Sequence, residues 1–175
     1  MEQDFILKEI QGQTVSKIFK QFDMIIINFG NPIICSLHIN SAVRVCQEDK
    51  ILLNNSDEFF TKSGKQKTEM QYKLLEEEGF INDPNSLFAN NIKIVNKLLK
   101  GKQVFEIKRT KWHDLILFFE EGIEVQIIQD CLQKDYEYYR YIKFCPFYNN
   151  NEKKFNSYHY VVKNVQGTPT LMEDK

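Results

Sequence analysis

A glycine followed at three-residue steps by valine and isoleucine occurs twice in this chain, as Gly12-x-x-Val15-x-x-Ile18 and as Gly101-x-x-Val104-x-x-Ile107. Internal similarity of this kind constrains a fold more than composition does, because each copy should build the same local unit. With one residue inserted after the isoleucine, Phe22 meets Trp112, and Ile25, Ile26 and Ile27 meet Leu115, Ile116 and Leu117. Phe29 then meets Phe119, Ile33 meets Ile123, Cys35 meets Val125 and Leu37 meets Ile127. Six of these positions are identical and most of the others exchange one apolar residue for another. The shared order of glycine, strand, strand, turn and strand points to duplication.

Each copy has the period of an antiparallel meander. Ile33, Cys35, Leu37 and Ile39 alternate with Ile34, Ser36, His38 and Asn40, and Ile123, Val125 and Ile127 alternate with Glu124 and Gln126. Alternation marks a strand with one buried face. The stretches 23–29 and 113–119 are apolar on both faces, as expected of central strands covered on both sides. Between the copies the pattern becomes helical. A helix is expected over 68–78 with Met70, Leu74 and Leu75 on one side, and another over 87–100 with Leu87, Ile94 and Leu98 on one side, stopped by Gly101. The aromatic and β-branched stretches 136–144 and 158–163 read as further strands. The expectation is an α+β fold in which two repeated antiparallel β-meander units (1–60 and 101–166) flank a helical connector (61–100). One continuous sheet is the expected arrangement, with a flexible tail at 167–175.

Composition narrows the function classes. The 23 basic and 24 acidic side chains give a net charge of −1, without the basic excess by which nucleic-acid binders neutralise phosphates. Apolar runs such as Met24–Ile27 are far short of a membrane span. The acidic start Met1-Glu-Gln-Asp4 is not that of a signal peptide, and the four cysteines lack CxxC spacing. Reduced thiols in a bacterial cytoplasm are expected. No glycine-rich phosphate loop supports a nucleotide cofactor, and no cofactor is expected.

The glycine, aliphatic and Phe pattern resembles one seen in small bacterial proteins, some of them grouped with immunity proteins of polymorphic toxin systems. The segment Ser41–Asp57, with Arg44 and Ser56-Asp57, is similar to the continuation of that pattern. This chain has Val43 where some relatives carry Trp, and the second copy lacks the Ser-x-Asp segment. The resemblance covers about half the chain and its motifs are structural. It implies a protein partner, such as a toxin, and no catalytic residue.

Chemistry-bearing residues are few. Glu106 and Lys108 form an E-x-K of the kind that PD-(D/E)xK nucleases use to hold a divalent metal and activate water. The nearest Asp-Pro, Asp83-Pro84, sits at a helix start, and Lys17 stands in the first copy where Glu106 stands in the second. Cys35 and His38, three apart on a strand, face opposite ways and make a poor zinc half-site. His113 and Asp114 are adjacent on a strand entry and cannot readily pair. The residues chosen for partner binding are Trp112, Tyr136, Tyr138 and Arg140, with Arg44 and Asp57 in the first copy. The expected function is that of a non-catalytic protein-binding protein, with a metal-dependent hydrolase using Glu106 and Lys108, or a structural subunit, as rivals.

Overall fold

Alternation of apolar residues along so many short segments can be satisfied only if each strand finds a neighbour and a common core. The computed structural model describes residues 8–77, 83–129, 136–144, 158–165 and 168–172 and shows an α+β fold of two antiparallel sheets. The strands are β1 (Val15–Gln21), β2 (Met24–Phe29), β3 (Cys35–Ile39), β4 (Ala42–Gln47) and β5 (Lys50–Asn54). A 3-10 turn (Asn55–Phe59) and helices α1 (Glu69–Glu77) and α2 (Leu87–Leu99) follow. The remaining strands are β6 (Val104–Arg109), β7 (Leu115–Phe119), β8 (Ile123–Ile128), β9 (Glu137–Phe144), β10 (Tyr158–Val165) and β11 (Thr168–Met172).

The strands divide into a six-stranded sheet, β1-β2-β3-β9-β10-β11, and a five-stranded sheet, β5-β4-β8-β7-β6, and not into one continuous sheet. Each sheet sets a three-strand meander beside strands from the other end of the chain, with β3 against β9 and β8 against β4. Residues 1–60 and 101–166 are therefore mixed in both sheets. Their inward side chains, among them Ile27, Phe29, Leu37, Val45, Leu117, Phe119, Val125, Tyr139 and Tyr141, form one buried cluster. The segment expected as a tail contains β11, which pairs along β10 as a sheet edge; an edge strand tolerates the missing N–H of Pro169.

The two meanders match in register. Val15 lies opposite Phe29 and Val104 opposite Phe119, and each first strand then bulges at the next residue, Ser16 or Phe105. Beyond the turn, the expected alignment slips. Phe29 faces Cys35 while Phe119 faces Ile123, so Cys35 occupies the place of Ile123, not of Val125. The β2–β3 connection is two residues longer than the β7–β8 connection. A shift of two leaves every side chain on its original face, which is why the apolar pattern did not reveal it.

The two glycines meet. Gly12 N–H donates to Val104 C=O (2.7 Å) and Gly101 N–H to Val15 C=O (2.8 Å); Val15 N–H donates to Lys102 C=O and Val104 N–H to Gln13 C=O, both at 2.9 Å. Exchanging the two segments exchanges the members of each pair, as at a two-fold axis. Both glycines have φ of +85° and follow a helical turn, ending at Ile10 in one case and Leu99 in the other. The left-handed backbone that terminates a helix is open to glycine at little steric cost.

Helix α2 is capped by Ser86, whose Oγ accepts from Ala89 N–H (2.9 Å). Its buried stripe is Phe88, Ile92, Val95 and Leu99; Ile94, expected inward, is exposed. Both stripes have helical spacing, and the buried one carries the bulkier Phe. The helix lies against β1, β5 and the 3-10 turn, and Asn96 Oδ1 accepts from Ile18 N–H (2.9 Å) beside the β1 bulge, which covers that sheet edge. In α1, Met70 is exposed. Strand β7 alternates buried and half-buried residues, so it is covered on one face only, whereas β2 buries Ile25, Ile26 and Ile27 in succession. No helix among the described residues is long and apolar enough to cross a membrane.

Candidate functional site

Among the described residues the β6–β7 connection is the most elaborately fixed loop, and Trp112 stands at its tip. Thr110 N–H donates to Asp114 C=O (2.9 Å), and His113 N–H donates to Thr110 C=O (3.0 Å). Thr110 Oγ1 accepts from Trp112 N–H (3.2 Å) and Asp114 N–H (3.1 Å) and donates to Asp114 Oδ2 (3.0 Å). Gln129 closes the base, its N–H donating to Asp114 Oδ1 (2.9 Å) and its Nε2 to His113 C=O (3.0 Å). His113 takes a left-handed φ of +71°, which this network holds in place. The indole is 68% exposed, with Lys111 Nζ 4.9 Å from its ring centroid. At the corresponding tip of β1–β2, Phe22 is also exposed.

The other residues chosen from sequence are engaged within the fold. Tyr138 is buried, and Tyr136 packs edge-on against it and donates its hydroxyl to Asn40 C=O (2.8 Å). Asp57 accepts from Asn54 N–H (3.1 Å) and from Asn91 Nδ2 (3.0 Å), fixing the 3-10 turn to α2. Arg140 donates from Nε and Nη2 to the two carboxylate oxygens of Glu137, at 2.9 and 3.1 Å. Among the described residues Arg44 alone of those chosen has no such partner within the fold.

Arg140 and Arg44 occupy equivalent places on the outer faces of the two sheets. One row across the six-stranded sheet reads Phe19, Ile26, His38, Arg140; the corresponding row of the five-stranded sheet reads Lys108, Ile116, Gln126, Arg44. Burial, aided by the Arg140 charge, holds His38 below its ordinary value of 6.5. Arg44 is half-buried, and its Nε is shielded from solvent without an acceptor. The Oγ of Ser41, just ahead of β4, is also buried without a hydrogen-bond partner. An unpaired buried donor or acceptor costs on the order of 1–3 kcal/mol, so two together are unusual. Sequence reading chose both arginines, but the connection from β8 to β9 is longer than that from β3 to β4, so no constant offset brings the two together.

Glu106 lies 2.9 Å from Lys108 on the exposed edge strand β6. Among the described residues no group of three or more His, Cys, Asp or Glu is placed to hold a metal. Cys35 faces the core and His38 the outer face. Burial pushes the Cys35 thiol up to about 11, against the lesser lowering effects of Tyr141 and Lys143, so it is a neutral thiol at ordinary pH.

A cleft of about 330 Å³ opens between β1, the 3-10 turn and the start of α2, over Ile18 and Phe88. Its charged residues are already paired in part: Lys20 with Glu58, and Asp83 with the buried Lys67 at 2.7 Å. Burial opposes ionisation of Asp83, but the hydrogen bonds from Lys67 and Asn85 N–H and the Lys67 charge outweigh it and lower its pKa. Sequence reading missed the Lys67–Asp83 pair, because no periodicity links a loop lysine to a helix-start aspartate.

No protein-family model matches this sequence, and no curated protein or solved structure is detectably similar to it.

Proposed function

We propose that this chain is a protein-binding protein that acts without a catalytic step, and that the Trp112 loop is the centre of its contact surface. The observation that carries this reading is the pairing of a 68% exposed indole with a loop whose backbone is already fixed by its own hydrogen bonds. Trp is the commonest energetic anchor of interfaces, and a preorganised loop loses little entropy when it docks. The partner we infer is a toxin, on the resemblance of the glycine–strand pattern and of Ser41–Asp57 to immunity proteins. Free thiols at Cys35 and Cys46 suit the reducing bacterial cytoplasm in which such a protein would act. The matched bulges and the mutual pairing at Gly12 and Gly101 support descent of both halves from one duplicated unit.

The test is Trp112→Ala, read by partner capture from the native cell and by thermal unfolding. Partner affinity should fall by roughly 10-fold or more, as at interface anchors, with the melting curve unchanged. Full partner binding by the variant would remove the Trp112 loop from the interface.

A further inference from the structure

Arg140 and Arg44 stand at equivalent places in sheets of matching strand order, yet only Arg140 has a carboxylate. Glu137 meets it with both oxygens, the planar two-bond geometry that guanidinium groups favour. Three residues before Arg44, just ahead of β4, the chain has Ser41 and no carboxylate. Arg44 Nε and Ser41 Oγ are both left buried without a hydrogen-bond partner.

The surroundings of Arg44 do not remedy this. Directly across the strands stand Gln126 and Asn54, and the nearest carboxylate along β8, Glu124, already accepts from Gln126 Nε2 (3.0 Å). Ile116, Gln126's other cross-strand neighbour, is half-buried on the same outer face. Apolar neighbours reduce screening and strengthen any charge pair formed there.

We propose that Arg44 forms a carboxylate-binding site on the outer face of the five-stranded sheet, taking from outside the chain the group that Arg140 takes from Glu137. Its ligand is a planar carboxylate, either an acidic side chain of a protein partner or a free small carboxylate. The first source rests on the protein-binding reading above. The site itself does not, and the test addresses it without a partner.

The chain has three arginines, Arg44, Arg109 and Arg140, so the Nε–Hε region of a ¹⁵N-arginine NMR spectrum is simple to assign. Sodium acetate, compared with sodium chloride at equal ionic strength, should move the Arg44 signal downfield and saturate, leaving Arg140 in place. Arg44→Lys keeps the charge and loses the fork, and acetate should no longer saturate the amide signals of Gln126 and Cys46. A capped Gly-Glu-Gly peptide binding more tightly than succinate assigns the site to an acidic side chain, and the reverse order assigns it to a small carboxylate. The proposal is overturned if the Arg44 signal only follows the chloride control. It is equally overturned if that signal already matches Arg140 in acetate-free buffer and ignores acetate, since Arg44 would then be paired within the chain.

Discussion

The six-stranded and five-stranded sheets share inner faces and differ on their outer ones. Inside, Phe29 and Phe119, Ile27 and Leu117, and Ile39 and Ile127 fill corresponding places at nearly complete burial. Outside, Ile26, Ser36 and Ile142 are buried on the larger sheet, whereas Ile116, Glu124 and Cys46 stand half-exposed at the corresponding places of the smaller. Packing needs matched volumes wherever the sheets meet and leaves the opposite faces free to diverge. Differences between the halves therefore point to function more directly than similarities do.

That comparison can be broken first in the core. Phe29→Ala and Phe119→Ala should each lower stability by about 3–5 kcal/mol, and by similar amounts, in urea unfolding. Very unequal losses would show that the two places are not mechanically equivalent. The arginines should behave unequally. Arg140→Met removes the two guanidinium bonds to Glu137 and should cost about 1 kcal/mol once the exposure of the pair is allowed for. Arg44→Met removes an unpartnered donor and should change stability by less than about 0.5 kcal/mol, or raise it.

The smallest effect concerns His38. Its folded pKa lies below the ordinary 6.5, so protons bind the unfolded chain more readily. Its contribution is complete above pH 6.5 and is lost as pH falls through the lower folded value. His38→Gln, which installs the residue found at the corresponding place of the smaller sheet, should flatten that acid dependence. An unchanged pH profile of unfolding would remove His38 as its source.

Much of the local structure was legible. The glycines at 12 and 101, the one-residue insertion before β7, and the inward residues of β3 and β8 follow from spacing alone. The partition into sheets was not. Alternation fixes which face a residue takes but not which strand lies beside it, so nothing in Cys35–Ile39 announces β9 as its neighbour. The same limit hid the two-residue slip after Phe29, and the longer connection from β8 to β9 hid the match between Arg44 and Arg140. The burial of Tyr139 and Tyr141 comes from the core shared by both sheets, which no single strand announces. Trp112 was chosen from sequence for partner binding, but the Thr110–Asp114–Gln129 network beneath it depends on β8 returning alongside β7.

The exchange of strands between sheets also sets when the molecule can take shape. β4 waits for β8, and β3 waits for β9, so these neighbours exist only once synthesis has passed residues 128 and 144 respectively. Pairings this distant in sequence close slowly, and unpaired strand edges are the surfaces through which nascent chains aggregate. On the ribosome, the first meander must therefore stay soluble with an open edge while most of the chain is made, and the two sheets should then form together.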